Sequence, residues 1–95
     1  MSPRWATVDG AGLYFYASEP HQRPHVEVRG AGWRAKIALD TLEVLATAGN
    51  LSHPTLRAVL ELLAREQQRT IWAFHKTAAH RFPGTLGQQQ EDDGE

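Results

Sequence analysis

Apolar and polar residues alternate with a period of two in short runs up to residue 39, then with a period near 3.6 from residue 52 to about residue 79. The first period puts alternate side chains on opposite faces of a strand, and the second gathers them on one stripe of a helix. Trp5-Ala-Thr-Val8 and Leu13-Tyr-Phe-Tyr-Ala-Ser18 are β-branched and aromatic runs around Asp9-Gly-Ala-Gly12, which carries an Asp-Gly turn signal. A Pro-bounded loop, Glu19 to Pro24, leads to a second pair, His25-Val-Glu-Val-Arg29 and Trp33 to Leu39, around Gly30-Ala-Gly32. The expected sheet is a four-stranded antiparallel meander.

Alternation predicts one core face made of Val8, Leu13, Phe15, Ala17, Val26, Val28, Trp33, Ala35, Ile37 and Leu39. An even-numbered loop in the second hairpin preserves that face. A Gly30-Ala31 turn sets Val28 beside Trp33 and Glu27 opposite Arg34. An Ala31-Gly32 turn keeps the faces but sets Arg29 against Arg34, a like-charge pair that sheets disfavour, so the first register is expected.

Leu42 to Ala48 reads as a short helical turn, capped by Asp40 or Thr41 and ended at Gly49-Asn50. Ser52 is an N-cap with Pro54 in the first turn, opening a long helix. Leu56, Val59, Leu60, Leu63, Gln67, Ile71, Phe74 and Ala78 form its apolar stripe, with Gln67 the one polar member. The polar run Arg65-Glu-Gln-Gln-Arg69 leaves one helix or two, kinked or split there, equally open. The fold class is α+β, a four-stranded sheet with the C-terminal helix on one face. Residues 1–83 are expected to form one domain. From Gly84 to Glu95 the chain is rich in Gly, Gln and acid, which predicts a disordered tail.

Ninety-five residues at 41% apolar composition sustain one core. Formal charge is −1, but four acids fall in the last five residues. Ten Lys and Arg against seven Asp and Glu leave +3 over residues 1–90, which suits an anionic partner but is well below a dedicated nucleic-acid binder. The absence of cysteine excludes a disulfide framework and a thiolate metal site. No stretch approaches a signal peptide or the ~20 apolar residues that span a bilayer, so a cytoplasmic address is expected by default. Without a Gly-rich phosphate loop, no cofactor is expected.

Tyr14-Phe-Tyr, Ser18-Glu19, His21, Pro24-His25-Val26, Ala35-Lys36, Leu39-Asp40, Gly49, Leu51-Ser52 and Trp72 follow one another in an order that resembles domain-of-unknown-function family 4160. The resemblance covers roughly residues 7 to 76. It departs at Glu27, where the family usually has a second His, and at Gln67, where it usually has Asn. It implies a small bacterial protein, often encoded beside a second small protein and commonly described as a suspected toxin–antitoxin component. It implies no reaction.

If the core set faces the helix, the other face presents Trp5, Thr7, Tyr14, Tyr16, His25, Glu27, Arg29, Arg34 and Lys36. Such a face is a plain solvated one, a protein interface, or a site for single-stranded RNA, whose bases stack on aromatic rings. The expected function is binding of a cognate protein encoded nearby through Trp5, Tyr14, Tyr16, Arg29, Arg34 and Lys36. The alternative is a small ribonuclease toxin with His25 and Glu27 as acid and base. His21, His25 and Glu27, with Glu19 close by, are candidate metal ligands at a spacing that fits no closed structural pattern. On the helix, Arg65, Arg69, Lys76 and His80 align near Leu62 and Trp72. That row reads as solvated surface, as a docking or self-association surface, or, if a second helix begins near Gln67, as a buried Trp72.

Overall fold

The computed structural model describes residues 3–16, 23–79 and 81–87. Five strands, β1 (Arg4–Val8), β2 (Ala11–Tyr14), β3 (His25–Gly30), β4 (Trp33–Ala38) and β5 (Val44–Gly49), pair antiparallel in chain order. Two helices follow, α1 (His53–Arg65) and α2 (Gln67–Ala78). The α+β antiparallel meander is as expected, with one strand more and the helical region divided.

The first turn is tighter than the sequence suggested. Val8 pairs with Ala11, leaving only Asp9 and Gly10 in the loop, at φ 50° and 81°. Two successive positive φ values are what a type I′ hairpin demands, and Asp-Gly supplies them. The strand expected over Leu13–Ser18 is Ala11–Tyr14, and Ala17 and Ser18 lie outside the described residues.

Trp5 is the main correction on this hairpin. Arg4 pairs with Tyr14 and Ala6 with Leu13, so Trp5 is an extra residue in a bulge. The bulge breaks alternation and turns Trp5 inward beside Ala6, fully buried rather than on the open face. Its indole Nε1 donates to Thr70 Oγ1 at 3.1 Å, and that hydroxyl donates in turn to the Glu66 carbonyl at 2.7 Å. Each polar atom of this buried contact is thereby satisfied.

The second hairpin adopts the other register. Gly30 pairs with Trp33, Val28 with Ala35, Glu27 with Lys36 and Arg29 with Arg34. The loop is Ala31-Gly32, with Gly32 at φ 75°. Trp33's indole lies across Gly30, where any Cβ would collide with it. Seating a buried indole outweighs a surface like-charge pair worth at most ~1 kcal/mol.

The helix expected over Leu42–Ala48 is strand β5. Seven residues are too few for a stable isolated helix, Val44 and Thr47 are β-branched, and β4 gains partners for its outer backbone groups. Leu42, at φ 63°, closes the β4–β5 turn.

Ser52 caps α1 as expected, accepting from Thr55 N at 3.4 Å. Glu66, at φ −110° and ψ 27°, separates the two helices. Beyond that break Gln67 Nε2 donates to the carbonyls of Leu39 at 2.8 Å and Asp40 at 3.1 Å. The one polar member of the stripe is therefore a tether to the β4–β5 turn. Val59 and Leu63 from α1 and Ala73 and Phe74 from α2 join the core face of the sheet, which includes Leu13, Phe15, Val26, Val28, Ile37 and Leu39.

Within the expected tail, residues 84–87 are described and lie against the domain. Leu86 N donates to Trp5 O at 2.7 Å and Thr85 Oγ1 to Arg4 O at 3.0 Å, along the outer edge of β1. Phe82 and Leu86 pack against the core. Residues 88–95 lie outside the described residues. No helix of the described residues is long and apolar enough to cross a membrane.

Leu86→Ala should lower stability by about 1 kcal/mol, since a half-buried Leu loses part of a full core contribution. The melting temperature should then fall by about 4–8 °C. An unchanged melting temperature would show that the segment contributes no burial.

Candidate binding face of the sheet

Register decides which side chains stand side by side. Across the sheet, one row runs Thr7, Gly12, Arg29, Arg34 and Ala48, and the next runs Arg4, Tyr14, Glu27, Lys36 and Ala46. Thr7, Arg29, Arg34 and Lys36 are exposed, and Tyr14 and Glu27 are half-buried. Four cations thus surround one carboxylate.

Arg29 is the best-fixed of them. Its guanidinium lies 5.5 Å from the Tyr14 ring centroid and 5.4 Å from that of Tyr16, and its Nε is 3.7 Å from Glu27 Oε1. Tyr14 reaches this position because its ring lies over Gly12, where a Cβ would come within 2.6 Å of Cε1. Cation–π contacts of this kind are worth ~0.5–1 kcal/mol at exposed sites. They hold the cation in place and leave its N–H groups to solvent or a partner. Arg34 and Lys36 form no ion pair with a described residue.

Two expected members are not on this face. Trp5 is in the core, and His25 is only 6% exposed, its ring centroid 5.4 Å from that of Phe74 on α2. His25 Nδ1 is 2.9 Å from the Arg23 carbonyl. The imidazole therefore packs against the helical layer, while Glu27 is engaged by Arg29. Of the weak candidate metal ligands, Glu19 and His21 lie outside the described residues, and among the described residues no group of three His, Asp or Glu is placed to hold a metal ion.

His25 instead belongs to a cluster around the β4–β5 turn. Leu39 N donates to Pro24 O at 2.9 Å, Gln67 tethers the carbonyls of Leu39 and Asp40, and Arg23 binds Asp40 through Nη2 at 3.1 Å and Nε at 3.2 Å. The hydrogen bond from Arg23 holds the Asp40 carboxyl below its ordinary range, and the same bond raises the Arg23 guanidinium. Much of the sequence signature, Pro24-His25 and Leu39-Asp40 among it, thus fastens a turn.

On α2, Trp72 is 44% exposed with Lys76 Nζ 5.8 Å from its ring centroid, so its place on a second helix does not bury it. Leu62 packs against the core, and His80 lies outside the described residues. Sequence reasoning missed Arg4, and it missed Ala46 and Ala48, which extend the face onto β5. The β-branched Val44 and Thr47 were the available signal for that strand.

The chain belongs to the family described as domain of unknown function (DUF4160), whose model matches residues 10–75. No curated protein and no solved structure matches the chain.

The Arg23–Asp40 pair generates a pH test. Because the folded carboxyl titrates below the unfolded one, its contribution is fully present above the unfolded value and is lost as pH falls through the folded one. Asp40→Asn should therefore lower the melting temperature at neutral pH, and the gap to the parent should close as pH falls below about 4. A gap independent of pH would contradict this role.

Proposed function

We propose that the chain is a noncatalytic binding module that engages an acidic protein surface through the open sheet face, its partner being the small protein encoded beside it in a two-gene arrangement. One observation carries this reading: Arg29, held by Tyr14, Tyr16 and Glu27, stands beside Arg34 and Lys36, neither of which forms an ion pair with a described residue. A fixed guanidinium loses little freedom on forming charge-assisted bonds, and Arg and Tyr are the residues that dominate protein interfaces.

The aromatic content of the face favours protein over RNA. Trp5 is unavailable, and both tyrosines are half-buried and engaged by Arg29, which leaves a poor platform for stacked bases. The ribonuclease alternative is weakened in the same way, because its acid–base pair needs a His25 that faces substrate, and His25 packs on Phe74.

Replacing Tyr16, Arg34 and Lys36 together by Ala should weaken binding of the co-encoded protein by about 100-fold or more while circular dichroism stays that of the folded parent. Added salt should mainly slow association. RNA gel shifts and growth on isolated expression complete the test. Wild-type affinity of the triple variant for both the protein and RNA would move the interface to the helix surface near Trp72. Growth arrest abolished by His25→Ala or Glu27→Gln with binding intact would establish the ribonuclease instead.

A further inference from the structure

The two edges of the sheet are treated differently. Along β1, Thr85 and Leu86 bond the outward carbonyls of Arg4 and Trp5. Along β5, the one such bond among the described residues is at its end, where Leu51 N donates to Gly49 O at 3.1 Å. β5 packs chiefly on β4, and Leu45 through Gly49 are all exposed. Its sequence, Val44-Leu-Ala-Thr-Ala-Gly49, contains no charge and no proline, the two devices that commonly protect an edge.

Hydrogen-bond phase shows what the edge offers. Asn50 N donates to Gly32 O at 3.0 Å, which makes Gly32 and Asn50 a hydrogen-bonded pair. Antiparallel pairs alternate, so Arg34 with Ala48 and Lys36 with Ala46 are also hydrogen-bonded, and the N–H and C=O of Thr47 point outward. The bulge at Leu45 confines the irregularity to one end of the strand.

We infer that β5 accepts an extended strand of the partner with acidic residues at alternate positions, so that backbone bonds form at Thr47 while carboxylates lean over Ala46 and Ala48 to Lys36 and Arg34. Ala46 and Ala48 are small enough to leave a trough of about 170 Å³ there, lined also by Arg34, Lys36 and Glu27, the last of these engaged by Arg29. An added strand would lie ~10 Å from β4, a gap that Glu and Arg or Lys side chains close between them. Strand addition gives affinity through the main chain and selectivity through alternate side chains, here a demand for negative charge. This mode rests on the open-face reading and specifies how that face is reached.

The test uses the full chain and a labelled ten-residue peptide, acetyl-(Glu-Thr)5-amide, followed by fluorescence anisotropy. The peptide should bind, its (Lys-Thr)5 counterpart should not, and R34E/K36E should abolish binding. Methylation of alternate backbone nitrogens of the probe leaves its charge intact but removes its donors, and should cost about tenfold or more in affinity. Thr47→Pro should do the same from the protein side, since proline is tolerated on an edge whose N–H faces solvent. The methylated probe keeps the test valid if that variant fails to fold. Full binding of the methylated probe, lost in R34E/K36E, would overturn the edge inference and leave the open-face reading standing. Binding that survives R34E/K36E but not methylation would sink the open-face reading. No binding of the acidic peptide at millimolar concentration, or tighter binding of a uridine decamer by the same face, would overturn the inference outright.

Discussion

Two polar side chains of α2 fix where the helical layer sits on the sheet. Gln67 spans the carbonyls of Leu39 and Asp40, and Thr70 accepts a hydrogen bond from the Trp5 indole N–H while donating to the Glu66 carbonyl. One contact holds the β4–β5 turn and the other holds β1, so α2 is tied to both sides of the sheet. A helix carrying both has little freedom to slide. Partly buried polar contacts of this sort are costly to leave half made, which gives them a specifying role beyond their modest net energy.

That placement determines what remains uncovered. The helices close over the Val26, Val28 and Ile37 side and leave the opposite face and Leu45 through Gly49 of β5 uncovered. The uncovered surface is where the cations collect. Four of them stand in two adjacent rows with one carboxylate, and the aromatic rings among them serve to hold Arg29. On the proposed reading this arrangement suits carboxylates better than stacked bases, because the guanidinium is held in advance.

The sequence was legible where one local rule acted alone. Period-two alternation identified the core residues of β3 and β4, Asp9-Gly10 marked its turn, and Ser52 marked the start of α1. It misled where a tertiary contact outweighed the local signal. Trp5 left its expected face because a bulge and Thr70 offered its indole a buried partner, and alternation cannot register an inserted residue. Arg29 and Arg34 came to face each other because Trp33 needed the space above Gly30. β5 was hidden because a short segment rich in Leu and Ala has helical propensity until β4 supplies a ladder. His25 was assigned to the open face by alternation, and only the fold shows Phe74 beside it.

Hydrogen–deuterium exchange of the chain with and without the proposed partner, a small protein encoded beside it, tests the central claim most directly, because it reads location without assuming a mode of contact. The account predicts that protection gained on complex formation concentrates in β3, β4 and β5, with α1 and the Trp72 surface of α2 unchanged. Protection confined to α1 and α2, with the sheet exchanging as in the free chain, would contradict it.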